Sequence, residues 1–155
     1  MHLTRTGEYG VRCVLYLARN HRRKVVARTE VAEAMDIPAQ YLGKVAQVLA
    51  RAGLLTIRQG ARGGYALARR PADISLLSVV EAVEGEIFLN ECLHAPDSCH
   101  RRPACAVHRV WRRARERLRE TLGAVSLADL VREEEGGNAR TPLGTPGGTA
   151  HHPKE

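Results

Sequence analysis

The chain contains no apolar run approaching the roughly 18 residues needed to cross a bilayer, and no hydrophobic signal core follows Met1-His2-Leu3-Thr4-Arg5. A membrane span and a secretory leader are therefore not expected, and the cytoplasm is the expected compartment. There is no oxyanion-hole motif, phosphate loop or paired acid/base site. An enzyme using Cys105 as nucleophile and His108 as base would lack the groups that such chemistry needs beside them. No Cys-x2-Cys pair is present either, so the tight knuckle by which structural zinc sites usually offer their ligands is missing. Only four cysteines occur, and in a reducing compartment they read as metal ligands or redox groups before disulfides.

What is present is 155 residues with 44% apolar content, enough for one core of ordinary size and a small appendage. The net charge of +7 is unevenly spread. Residues 1–85 hold 13 Lys/Arg against 7 Asp/Glu, whereas residues 86–135 hold 9 of each. A positive field on the N-terminal half suits phosphates better than an anionic membrane. The plainer alternative is a basic soluble protein with no polyanionic partner.

A first helix is expected from about Thr4 to Arg19, burying Val11, Val14, Leu15, Leu17 and Ala18. After the basic loop His21-Arg22-Arg23-Lys24, Thr29 is a candidate N-cap for a short helix through Met35. Asp36 takes the turn, and Pro38 suits the first turn of a third helix running to about Ala52, with Gly53 behind it. Leu42, Val45, Val48 and Leu49 are its inward face. Two helices joined by so tight a turn make a helix-turn-helix candidate.

The next segment raises that candidate above a generic helical pair. Leu54–Ile57 and Tyr65–Leu67 read as a strand and its return, enclosing Arg58-Gln59-Gly60-Ala61-Arg62-Gly63-Gly64. Glycines let this loop turn sharply and approach another molecule, and the two arginines can reach phosphates or a narrow minor groove. It has the character of a wing, although an ordinary glycine-rich hairpin would look similar.

Ser75 can cap a helix through Glu84, ended by Gly85, and residues 86–103 read as a loop. From about Pro103 a longer helix carries Val107, Trp111, Ala114, Leu118 and Leu122 along a narrow apolar seam. Such a seam suits a partner helix, and a homodimer would match two operator half-sites. A short last helix is expected over 126–135, and the Gly/Pro/Thr-rich residues 136–155 are expected to be a disordered tail. The expected fold is mainly α. A winged helix-turn-helix DNA-binding domain with a two-stranded wing occupies 1–85, and a cysteine-bearing loop with a long dimerisation helix occupies 86–135.

In a helix-turn-helix the second helix presents its N-terminal side chains to base edges in the major groove. The candidates are Pro38, Gln40, Tyr41, Lys44 and Gln47, joined by Arg58, Gly60 and Arg62 of the wing. Gln pairs bidentately with adenine, Lys donates to guanine or phosphate, and the wing arginines add affinity that weakens with salt.

Cys92, Cys99 and Cys105 are separated by six and five residues, and His108 follows two residues after Cys105. Spacings this wide suit a loop around something larger than a single ion, such as an iron-sulfur cluster. A zinc site and free redox thiols are the alternatives. Cys13, among apolar neighbours on the first helix, reads as a small core residue.

Leu3-Thr4, Ile37-Pro38-Ala39-Gln40-Tyr41-Leu42, Gly63-Gly64-Tyr65, Ile74-Ser75-Leu76 and the three cysteines together resemble the bacterial winged-helix iron-sulfur regulators typified by IscR and NsrR, over about residues 1–130. The resemblance implies a homodimer on a palindrome-like operator, with a 2Fe-2S or 4Fe-4S iron-sulfur cluster controlling DNA binding. In IscR-like members a histidine shortly after the third cysteine is a ligand, the position of His108. In NsrR-like members an acidic residue from the first helix of the partner subunit serves instead, and Glu8 stands close to that position. His94 and His100 are weaker candidates. The first cysteine spacing is one residue longer than the commonest arrangement. Pro38 and Gly43 replace polar or acidic residues that help IscR-like relatives read their operators, so their target sequence does not carry over.

Overall fold

The computed structural model describes residues 3–100 and 102–136. The expected tail therefore lies outside the described residues, apart from Gly136. Helix α1 (Arg5–Arg19) is capped by Thr4, whose hydroxyl accepts from the Gly7 N–H at 3.2 Å. It crosses α4 (Leu76–Glu84) closely, because a β-carbon on Gly10 would press against Val83 and one on Gly7 would collide with Glu84. Glu84 in turn accepts from the Thr4 hydroxyl at 2.6 Å, tying the start of α1 to the end of α4.

Helix α2 (Arg28–Ala34) begins earlier than Thr29 would allow, and its N-cap is Ala27, which supplies no side-chain hydrogen bond. The reason lies across the chain. Val26 and Tyr65 exchange two backbone hydrogen bonds at 2.8 Å each, so the extended segment ends at a fixed point and the helix starts almost at once. Asp36 takes the left-handed turn at φ 56°, as its residue type suggests. Pro38 is the N-cap of α3 (Ala39–Arg51) rather than a residue inside its first turn.

Strands β1 (Leu55–Arg58) and β2 (Gly64–Leu67) pair antiparallel, with Leu55 opposite Leu67 and Arg58 opposite Gly64. The segment read as a loop over 86–103 contains a short helix, α5 (Glu91–His94), and two single 3-10 turns. Helix α6 (Ala106–Gly123) starts three residues beyond Pro103, with Cys105 as its N-cap. The last helix, α7 (Leu127–Gly136), returns to pack against α1.

One core holds these elements together. Cys13, Val14 and Leu17 of α1 meet Leu42, Val45 and Leu49 of α3, Tyr65 of the wing, Val79 of α4 and Leu127 of α7. Each of these side chains is essentially removed from water, at roughly 1.5–3 kcal/mol for a large apolar side chain. Burial also pushes the Cys13 thiol up to about 12, so this cysteine packs and does not react. None of the described residues forms a helix long and apolar enough to cross a membrane.

Candidate nucleic-acid interface and cysteine site

Burial of Leu42, Val45, Ala46 and Leu49 fixes the rotation of α3, and the opposite face is left to solvent. Gln40, Tyr41, Lys44 and Gln47 are all exposed on it, as is Pro38 at the cap. Gln40, Lys44 and Gln47 follow a helical i, i+4, i+7 spacing and so stand in one row about 10 Å long, which fits a major groove. Tyr41 is 43% exposed, and its ring lies 5.9 Å from that of Tyr9 on α1, at 51°. This contact between α1 and the outward face of α3 was not foreseen from the sequence, because only packing brings the two rings together.

Arg58, Gly60 and Arg62 of the wing are all exposed. The wing loop is tight. Gly60 has φ 96°, and the Gly63 N–H donates to the Gly60 carbonyl at 2.9 Å. A β-carbon at Gly64 would strike the Val26 carbonyl, so this glycine permits the close pairing that seats the wing. Among the described residues neither Lys44, Arg58 nor Arg62 takes part in an ion pair. Their charges are thus unmatched and open to phosphate.

The cysteine segment is built from α5, the 3-10 turns and the start of α6. Cys92 lies on α5, and its sulfur is 3.4 Å from Nδ1 of His108 on the first turn of α6. The Cys105 sulfur accepts from the backbone N–H of His108, also at 3.4 Å. Cys92, Cys99 and Cys105 are all unbonded thiols and half-buried. The structure thus brings His108 to Cys92 side chain to side chain and to Cys105 through the backbone. Among the described residues no three His, Cys, Asp or Glu side chains converge as a group able to hold one metal ion, and Cys99 does not complete one. The donor chemistry nevertheless suits an iron-sulfur cluster: three accessible thiols and one imidazole lie within the single segment Cys92–His108.

The remaining candidates point elsewhere. Glu8 is exposed and sits 3.9 Å from Arg12 on its own helix. His94 is exposed and stacks on Phe88, ring centroids 4.6 Å apart, and His100 is exposed.

On α6, Val107, Trp111 and Ala114 are exposed, while Leu118 and Leu122 are half-buried towards the C-terminal end. No residue of this 18-residue helix is fully buried. Val110, 54% exposed, widens the apolar strip beyond the expected seam, and Phe88, before α5, is a further exposed ring. Val110 lies three residues from Val107, and a wider helical stripe than the narrow seam would have found it. The C-terminal half of α6 is held to α4 and its sequel by Arg119 on Glu81, by Arg115 on Glu86, and by Arg115 Nε donating to the Ile87 carbonyl at 2.7 Å.

The sequence profile of the Rrf2 family, described as an iron-dependent transcriptional regulator, matches residues 3–133. The chain is 34% identical over 133 residues to Protein rrf2 of Nitratidesulfovibrio vulgaris, covering 86% of this chain and 89% of that one. It is 32% identical over 136 residues to the HTH-type transcriptional regulator NsrR of Shouchella clausii, covering 87% and 91%. Among solved structures, that of T. potens IscR superposes with a TM-score of 0.72 at 26% identity, over 91% of this chain and 93% of that one.

Proposed function

This chain belongs to the Rrf2 family of DNA-binding transcriptional regulators, and from that premise we propose that it is a homodimeric repressor whose operator binding is governed by an iron-sulfur cluster. Cys92, Cys99, Cys105 and His108 are the ligands in this reading, with Glu8 of the partner subunit as the alternative fourth. The observation that carries it is the Cys92–His108 contact at 3.4 Å, located where the cysteine segment feeds into a helix with an exposed apolar strip. Clusters of this kind react with nitric oxide and oxidants and depend on iron supply, which gives the site its sensing chemistry when loaded.

The protein's own residues do the rest. Cys105 caps α6 and His108 occupies its first turn, so any rearrangement of these two side chains acts directly on the start of that helix. Val107, Val110 and Trp111, on its first two turns, are the surface on which a second copy would pack. Two copies held by α6 would present two α3 helices and two wings to the half-sites of a palindrome-like operator in the cytoplasm. Gln40, Lys44 and Gln47 would read base edges, and Arg58 and Arg62 would hold phosphates or enter the minor groove.

Purification without air tests the reading. The expected protein is brown, contains iron and acid-labile sulfide, and loses its visible absorbance in Cys92→Ala. A colourless protein carrying stoichiometric zinc, or one with reversibly oxidised thiols and no iron, would overturn the cluster and leave the DNA-binding assignment intact.

A further inference from the structure

On the flank of the domain away from the cysteine segment, a groove of about 1090 Å³ lies between the end of α1, the 20–24 loop, the far end of β2 and α7. Its apolar lining comes from Ala18, Leu67, Pro71 and Val131. Cationic side chains dominate the rest, with Glu135 the one acidic residue of the lining.

The cations fall into two sets. Arg19, Arg23, Arg70 and Arg132 are matched by Glu134, Glu30, Asp73 and Asp129 respectively. Arg22, Lys24 and Arg69 line the same groove and have no ion-pair partner among the described residues. All three are exposed and solvated, Arg69 also feels the carboxylate of Asp73, and together they give the groove a positive field that attracts anions. The DNA-reading row does not use this space: no residue of α3 and none of 58–62 lines it. Arg69 lies five residues past Gly64 at the wing's root, so the groove opens behind the wing rather than at its tip.

We propose that this groove binds a nucleotide-sized organic anion, a molecule with an apolar ring body and several negative charges. The ring would lie on Leu67, Pro71 and Val131, and the charges would meet Arg22, Lys24 and Arg69. At about 1090 Å³ the open groove lies at the upper edge of the roughly 300–1,000 Å³ of small-molecule sites. A duplex backbone is the less suitable occupant, because it offers charge without an apolar body and would have to enter a concave surface. The ligand would bridge α1, the wing's root and α7, which otherwise meet in the core and, for α1 and α7, through the Arg19–Glu134 pair.

Isothermal titration of the full-length chain at physiological salt tests this with ATP as the probe, tripolyphosphate as a charge-only control and adenosine as a ring-only control. ATP is expected to bind, and both controls to bind at least about tenfold more weakly. Arg22→Glu/Arg69→Glu is expected to weaken ATP binding at least about tenfold while leaving the thermal midpoint near the wild-type value, and Lys24→Glu alone gives an independent reading of the same loss. Absence of ATP binding, equal binding of tripolyphosphate, or wild-type ATP affinity in both variants would overturn the proposal. So would a loss of affinity for duplex DNA in these variants with no ATP binding by the wild type, which would assign the cations to the DNA backbone.

Discussion

His108 and Cys92 stand sixteen residues apart on different helices, yet the imidazole Nδ1 of one lies 3.4 Å from the sulfur of the other. Within the proposed ligand set this contact favours His108 over Glu8, which lies on the exposed face of α1 with Arg12 3.9 Å away. In Mössbauer spectra of anaerobically purified protein, His108→Ala is expected to alter the iron signature and Glu8→Ala to leave it unchanged. The reverse pattern would move the assignment to Glu8.

The recognition row and the wing should separate by what they read. Arg58→Ala is expected to weaken binding to specific and random duplexes alike and to lower the salt dependence by about one counterion. Gln40→Ala should instead cost about 1–3 kcal/mol of discrimination at one base position. Fluorescence anisotropy at fixed and varied salt measures both, and equal effects of the two substitutions would contradict the division.

Trp111 and Val110 should be needed for self-association. With both side chains on the exposed strip of α6, Val110→Glu or Trp111→Glu is expected to weaken the dimer by about 2 kcal/mol or more, read by sedimentation equilibrium. A wild-type monomer at all concentrations would remove this surface from the interface.

Glu30 is expected to give the fold part of its acid sensitivity. Its carboxylate is held below the usual glutamate range, chiefly by the Arg23 guanidinium and next by the Tyr16 hydroxyl, which donates at 2.9 Å. A carboxylate with a depressed folded value stabilises the fold above its unfolded value of 4.5, and that stabilisation is lost as pH falls through the lower folded value. Thermal midpoints of the wild type and Glu30→Gln should therefore differ at neutral pH and converge below pH 4 or so. A constant difference down to the lowest pH would show that the charge of Glu30 is immaterial.

Gly64→Ala tests how the wing is seated. The added methyl group would meet the Val26 carbonyl, so the paired hydrogen bonds between Val26 and Tyr65 must open. A loss of about 1–3 kcal/mol in denaturant unfolding is expected, accompanied by weaker DNA binding. Wild-type stability would mean that the backbone has room to shift.

Much of this arrangement is written locally. Asp36, Gly53 and Gly85 mark turns by their left-handed backbone, Thr4 and Ser75 mark caps by their hydroxyls, and the spacing of Leu42, Val45 and Leu49 orients α3 without reference to anything distant. What sequence reading missed depends on distant partners. Ala27 has no capping side chain, and only its neighbour's pairing with Tyr65 explains why α2 starts there. The Tyr9–Tyr41 contact and the return of Leu127 to the core likewise follow from packing between segments whose order along the chain gives no hint of proximity.

Ser75 and Ser126 face each other in an isolated antiparallel bridge. Leu76 N–H donates to the Val125 carbonyl and Leu127 N–H to the Ile74 carbonyl, each at 2.9 Å, just beyond the end of α6 and just before α4. The stretch from α4 through the cysteines to α6 is thus a closed lasso whose knot lies a short step past the wing. A pull on α6 cannot dissipate along a loose strand. It passes to α4 and the residues after it through Arg119 and Arg115, and through that knot to Ile74, a short step past the foot of the wing.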